Sequence, residues 1–269
     1  MAALADEHSC VPLDLAALEL AELDYPQLDH DPSLQLLDRL ATMVADRLAG
    51  PNAGGAEFIE AANHVLYEVC QFRANDKDYY DPRNSFLNDV LARRAGIPIS
   101  LSVVYIEVAR RLARPVLGVG LPGHFLVRYD DSDFTAFLDP YHGGQLLTAE
   151  DCHELAKSLT GADTTTDPTA LSPVSNRYIL VRMLNNLKGI YAHKERWDKL
   201  LPVLNLILHA LPENADEYRT RGITHLHLQR FREARADLSR YLDLSPRAAD
   251  KEAIGEELKK IHRILASLN

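Results

Sequence analysis

Gly120-Leu121-Pro122-Gly123-His124-Phe125-Leu126-Val127-Arg128, followed by Phe137-Leu138-Asp139-Pro140, is the stretch that decides the fold. Residues 124–129 and 134–139 are rich in aromatic and aliphatic side chains, and the polar run Asp130-Asp131-Ser132-Asp133 separates them. This pattern predicts two antiparallel strands joined by a four-residue loop. A symmetric loop pairs Tyr129 with Phe134, Val127 with Ala136, Phe125 with Leu138 and His124 with Asp139. Opposed residues in such a pair have Cβ atoms roughly 4.5–5.5 Å apart. A carboxylate at that distance can hold an imidazole in one tautomer and raise its basicity.

Helices are expected on both sides of this hairpin. Leu13–Leu23 and Ser33–Leu48 read as amphipathic helices, broken by Tyr25-Pro26 and Asp31-Pro32 and ended by Gly50-Pro51. After the connector Asn52-Ala53-Gly54-Gly55, residues 57–73 place Phe58, Ala61, Val65, Leu66, Val69 and Phe72 on one helical stripe. Ser85 is placed to cap a helix running to about Ala95, with Gly96 at its C-terminal end. Ile97–Leu112 carries β-branched residues that suit a strand. Leu101, Val104, Tyr105, Val108 and Leu112 nevertheless recur at helical spacing, so a buried helix entered through Pro98 is expected. Residues 116–119 then begin the sheet.

The segment 161–175 (GADTTTDPTALSPVS) is rich in Thr, Pro and Ser and reads as a linker or long loop. Beyond it lies an internal repeat. Trp197 and Phe231 are 34 residues apart, as are Leu200 and Ala234, and Pro212 and Pro246. That period is the signature of tetratricopeptide helical hairpins, and the second copy (Gly222, Leu226, Phe231, Ala234, Tyr241, Pro246) is the fuller one. Two parts follow: residues 1–160, holding N-terminal helices and the helix-plus-sheet core, and residues 176–269, holding the repeats. The fold class is α+β.

Composition narrows the function. The 269 residues are 46% hydrophobic and 25% charged, as in a soluble globular protein. No apolar run approaches the roughly 20 residues of a membrane helix, so no membrane partner is expected. MAALADEHSC lacks the basic and apolar regions of a secretory signal. Cys10, Cys70 and Cys152 are odd in number and unclustered, which fits a reducing cytoplasm rather than a disulfide framework. The net charge of −10 is uneven: residues 1–170 hold 12 Lys/Arg against 27 Asp/Glu, and residues 171–269 hold 17 against 12. An acidic front half argues against nucleic-acid binding.

Asn84-Ser85-Phe86-Leu87, Gly96-Ile97-Pro98-Ile99-Ser100-Leu101, Gly118 through Arg128 and Leu138-Asp139-Pro140, taken with the repeats, resemble the SirB-type transglutaminase-like family. Members of that family join a transglutaminase-like core to tetratricopeptide repeats, and the resemblance covers nearly the whole chain. It implies a transglutaminase-like (papain-like) helix packed on an antiparallel sheet. In that wider superfamily a Cys at a helix N-terminus attacks an amide carbonyl, and a His and an Asp on neighbouring strands complete the triad. By resemblance, His124 and Asp139 hold the last two positions.

The nucleophile departs from the pattern, because residues 97–105 contain no Cys. Ser100 and Ser102 are the nearest hydroxyls, each readable as a helix cap or packing residue or as a nucleophile needing strong general-base help. Cys70 and Cys152 lie elsewhere in the sequence. His124, Asp139 and His142 make a conceivable ligand set without the tight spacing of a dedicated metal motif, so no metal or other cofactor is read. The resulting expectation is a cytoplasmic protein-interaction module on a degenerate core, with a protein or peptide partner in the repeat groove. The alternative is an amide hydrolase or acyltransferase using Ser100 or Ser102 with the His124–Asp139 dyad. Oligomeric state is not encoded legibly.

Overall fold

The computed structural model describes residues 4, 11–50, 52–131 and 133–267. Cys10, Pro51 and Ser132, named above, lie outside the described residues. Among the described residues, eleven α-helices and a small antiparallel sheet make a mixed α+β, mostly helical fold. The chain divides into two units, Met1–Met183 and Leu184–Asn269.

The first unit begins with α1 (Leu13–Ala21), α2 (Asp31–Ala45) and α3 (Gly55–Asn63). After α3 the chain continues as a π-helix over His64–Val69, where the Cys70 amide donates to the Val65 carbonyl at 2.9 Å. The wider π turn rotates the residues that follow it. A single stripe through residue 73 is therefore not formed: Val69 is 49% exposed, and Phe72 is buried only after the helix has ended. Two short strands, β1 (Arg73–Ala74) and β2 (Ala95–Gly96), pair in parallel around α4 (Leu87–Arg93). Phe86 is the N-cap of α4, and the hydroxyl of Ser85 is buried without a partner, so Ser85 does not cap it. Arg94, at φ 53°, takes the left-handed C-cap position expected of Gly96, which belongs to β2.

The centre of this unit is α5 (Pro98–Arg111), buried without interruption from Pro98 to Ala109. A helix apolar on every side is one enclosed on every side, which explains why its β-branched residues gave a mixed signal. It packs against α2, α4 and the sheet strands. Asp14 on α1 ties down its exposed end by accepting from Arg110 Nη2 at 3.0 Å and Arg111 Nη2 at 2.7 Å.

Strands β3 (Val116–Leu121), β4 (His124–Asp130), β5 (Thr135–Asp139) and β6 (Gln145–Leu147) form one antiparallel sheet in that order. The β4–β5 register differs from the symmetric expectation by two residues. Val127 opposes Leu138, and Tyr129 opposes Ala136. The cause is local. Asp131 Oδ1 accepts from the Asp133 and Phe134 amides at 2.9 and 2.7 Å, and the Phe134 ring packs on Tyr129 with centroids 5.9 Å apart. Phe134 thus belongs to the loop. A two-residue slip keeps every side chain on its original face, so His124 and Asp139 still share a face although they are not directly opposed. Leu126 shares it too, in an apolar cluster with Val119, Leu121 and Cys152 of α6 (Ala149–Thr160).

Residues 161–175 are irregular, but they are tied to the core. The Val174 amide donates to the Gly118 carbonyl at 2.9 Å, Pro173 bridges to Val119, and Leu171 packs against the α6 cluster. Then α7 (Asn176–His193) runs through the boundary between the units.

The second unit contains α8 (Trp197–Ala210), α9 (Ala215–His227), α10 (Phe231–Leu244) and α11 (Lys251–Ser267). Its repeat is visible in the backbone itself. Glu195 and Gln229 both have positive φ, 51° and 57°, and Trp197 and Phe231 open their helices after N-caps of nearly identical dihedrals. Ala234, Leu238, Tyr241, Ile254 and Ile261 form the core of the later helices. At Gly222 a Cβ would lie 2.8 Å from the Leu238 side chain, so α9 and α10 approach as closely as glycine permits.

Candidate functional site

The site is built where β4 begins and β5 ends. Asp139 terminates β5 and caps the 3₁₀ turn Pro140–His142: its Oδ1 accepts from the Tyr141 amide at 3.0 Å and from the His142 amide at 3.3 Å. Pro140 fixes the turn's φ and Gly143, at φ 71°, closes it in the left-handed region. The carboxylate is thereby aimed by its own local sequence. Its second oxygen, Oδ2, accepts from His124 Nε2 at 2.8 Å and from His142 Nδ1 at 2.7 Å. His124 and Asp139 are both buried, while His142 is half exposed.

Burial alone would raise the Asp139 carboxyl, but the hydrogen bonds and positive fields of His124 and His142 outweigh it and hold Asp139 below the ordinary carboxylate range. An ionised Asp139 fixes the His124 tautomer with its proton on Nε2. That leaves Nδ1 as the nitrogen able to accept a proton.

Other groups shape the surroundings. The Tyr141 ring meets His124 edge-on at 5.9 Å, and its hydroxyl donates to Asp76 at 2.5 Å. Arg182 on α7 donates from Nη2 to the carbonyls of Leu121 and His124 at 2.6 and 2.5 Å, and its guanidinium lies 5.6 Å from the Phe125 ring centroid. It clamps the turn that delivers His124. Sequence reasoning did not find Arg182, because nothing in residues 176–193 distinguishes it from a surface cation. The Asp-Pro-Tyr-His run did carry a readable signal, since an Asp followed by Pro commonly accepts from the amides two and three residues on.

The two serines are not brought to the dyad. Ser100 Oγ is fully buried; it accepts from the Ile97 amide at 3.1 Å and lies 2.6 Å from the Asn84 carbonyl, to which it donates. This is the geometry of a helix cap that also stitches α5 to the preceding segment. Ser102 Oγ is buried with no hydrogen-bond partner. No hydrogen bond joins either hydroxyl to His124.

The thiols are equally enclosed. Cys152 is fully buried in the apolar cluster beneath Leu126, and burial, with the charges of Asp151 and Asp139, pushes its thiol up to about 12. Cys70 is also buried and raised by burial, against the opposing field of Arg94. Low-pKa, accessible thiolates are the reactive ones, and neither cysteine is of that kind.

Residues 32–185, which contain this helix-plus-sheet core and its buried His–Asp pair, match the sequence model of the transglutaminase-like superfamily. The chain belongs to the transglutaminase-like superfamily. A tetratricopeptide-repeat model matches residues 187–259. Within this combination the chain is similar to a UPF0162 protein of Xylella fastidiosa strain 9a5c, with 40% identity over 243 residues, 88% of this chain and 85% of that one. It is similar to a UPF0162 protein of Pseudomonas aeruginosa at 30% identity over 248 residues, 91% of this chain and 89% of the relative. Human F-box only protein 21 is 31% identical over 186 residues, 64% of this chain but 28% of its own length. The likeness thus extends to a chain of much greater length. No helix among the described residues is long and apolar enough to cross a membrane.

Proposed function

We propose that this chain is a cytoplasmic protein-interaction module of the SirB type, built on a transglutaminase-like core that has lost its nucleophile. Residues 1–160 supply the core, and residues 176–269 supply repeats that take a protein or peptide partner. The observation that carries the reading is the engagement of Ser100 Oγ with Ile97 and Asn84, at the helix start where the superfamily's attacking atom is expected. A hydroxyl held by the backbone of Ile97 and Asn84, with no hydrogen bond to the imidazole, reads as a structural cap. The tetratricopeptide match adds the interaction surface. Crosslinking and pull-down with the full chain are expected to capture a partner whose contacts map to residues 177–246. A survey that finds no partner dependent on this segment overturns the proposal.

A second reading is favoured by the dyad itself. The 2.8 Å bond from His124 to an ionised, buried Asp139 is the arrangement a general base requires. On that reading the chain is an amide hydrolase or acyltransferase in which Ser100 or Ser102 attacks. His124→Ala then abolishes turnover without unfolding the protein, and acyl-site probes label one of the two serines. Labelling of neither would sink it.

A further inference from the structure

His142 has no part in a two-residue acid–base pair, yet its ring is held at the same oxygen as His124. One ligand atom from each of His124, Asp139 and His142 lies within 4.8 Å of the other two. The two imidazole rings are near parallel, 25° apart with centroids at 5.9 Å, and each turns a nitrogen to Asp139 Oδ2. Asp139 Oδ1 is already engaged by two backbone amides, so Oδ2 alone is offered.

We infer that His124 Nε2, Asp139 Oδ2 and His142 Nδ1 form a binding site for a divalent transition-metal cation, with zinc(II) the best-fitting species. Two imidazoles and one carboxylate are a three-protein-ligand set for zinc, with a remaining position for water. Two of the donors are buried and the third is half exposed, so that open position faces solvent at His142. With one carboxylate, the set neutralises half the charge of a dication and leaves the rest to that water and the medium.

The change required in the two nitrogen–oxygen separations is small. Ligand bonds of about 2.0–2.1 Å in a tetrahedral arrangement set donors roughly 3.3–3.4 Å apart. The two nitrogen–oxygen separations now stand at 2.8 and 2.7 Å and would open by roughly half an ångström each. His142 can supply much of this movement, because it ends its 3₁₀ turn and is followed by a glycine in the left-handed region. On binding, the cation replaces the two N–H protons directed at Oδ2. Each neutral ring then carries its proton on its far nitrogen, Nδ1 of His124 and Nε2 of His142, exchanged through water.

The inference does not depend on whether the core retains catalysis or the repeats take a partner. It is tested by titrating the full chain with Zn²⁺ by calorimetry and with Co²⁺ by visible absorption. One saturable Zn²⁺ per chain is expected, with Co²⁺ bands of four- or five-coordinate intensity. His142→Gln, at a half-exposed position and with its folded state checked by circular dichroism, is expected to weaken binding at least tenfold and remove the Co²⁺ bands. The chain has 11 histidines, so His262→Gln on the exposed face of α11 serves as the control and leaves both readouts unchanged. The absence of saturable binding, or wild-type affinity in His142→Gln, overturns the site.

Discussion

Arg182 is bonded through Nη2 to the carbonyl oxygen of His124 at 2.5 Å, and through the same nitrogen to that of Leu121 at 2.6 Å. The turn that delivers the imidazole is therefore closed by a side chain from a helix more than 50 positions later in sequence. Replacing Arg182 by Gln removes both charge-assisted bonds and the contact with Phe125. Such bonds are worth about 1.5–3 kcal/mol each at best, and the partners regain water, so a loss of about 2 kcal/mol is expected in urea unfolding. The His124 ring resonances should shift in the same variant.

The serines separate by what their removal leaves behind. Ser100→Ala strands the Ile97 amide and leaves the Asn84 carbonyl short of a donor in the core, which should cost about 1–3 kcal/mol. Ser102→Ala removes a buried hydroxyl that has no partner and should be neutral within about 0.5 kcal/mol, or slightly stabilising. Chemical denaturation of the two variants side by side decides it; equal costs would contradict the cap.

Asp139 makes stability depend on acid. Its folded-state pKa lies below the unfolded value, so the unfolded chain binds the proton more tightly. The stabilisation is fully present above the ordinary carboxylate pKa of about 4 and is lost as pH falls through the folded value. Asp139→Asn is expected to flatten the pH dependence of unfolding in that acid range while lowering stability at neutral pH.

Cys152 should resist alkylation in the native state. With its thiol near 12, the thiolate fraction at pH 8 is on the order of one part in 10,000, and the apolar cluster shields what remains. Peptide mapping after brief iodoacetamide treatment should find Cys152 unmodified until denaturant is added. Rapid native labelling would mean that α6 opens away from the sheet.

In the repeats, Gly222→Ala sets two effects against each other. Alanine gains up to about 1 kcal/mol of helix propensity, whereas its Cβ would lie 2.8 Å from Leu238 Cγ and Cδ2 and 3.3 Å from the Leu238 backbone nitrogen. Overpacking against backbone costs typically about 1–3 kcal/mol, so net destabilisation is expected in thermal unfolding.

Much of this was legible in the sequence because it is local. The 34-residue spacing of Trp197 and Phe231 is reproduced in the backbone at Glu195 and Gln229, since each helical hairpin is specified by its own residues. The His124–Asp139 pair was also within reach: alternation along a strand fixes which face a side chain takes, and the two-residue error in register left that face unchanged. The error itself came from Asp131, whose carboxylate draws Phe134 into the loop. Positions set by distant partners were not legible. Arg182 acquires its role only through β3 and β4, and the π-helix after His64 follows from packing rather than from any residue that announces it.

Because the Asp-Pro-Tyr-His turn aims its own carboxylate, the two halves of the dyad differ in what anchors them. The acid is a self-contained fixture of four consecutive residues, Asp139 to His142, and the imidazole hangs from a strand end steadied by Arg182. Loss of the Arg182 bonds would therefore loosen the base and leave the acid's own anchorage intact, so the two members of the pair can be perturbed separately.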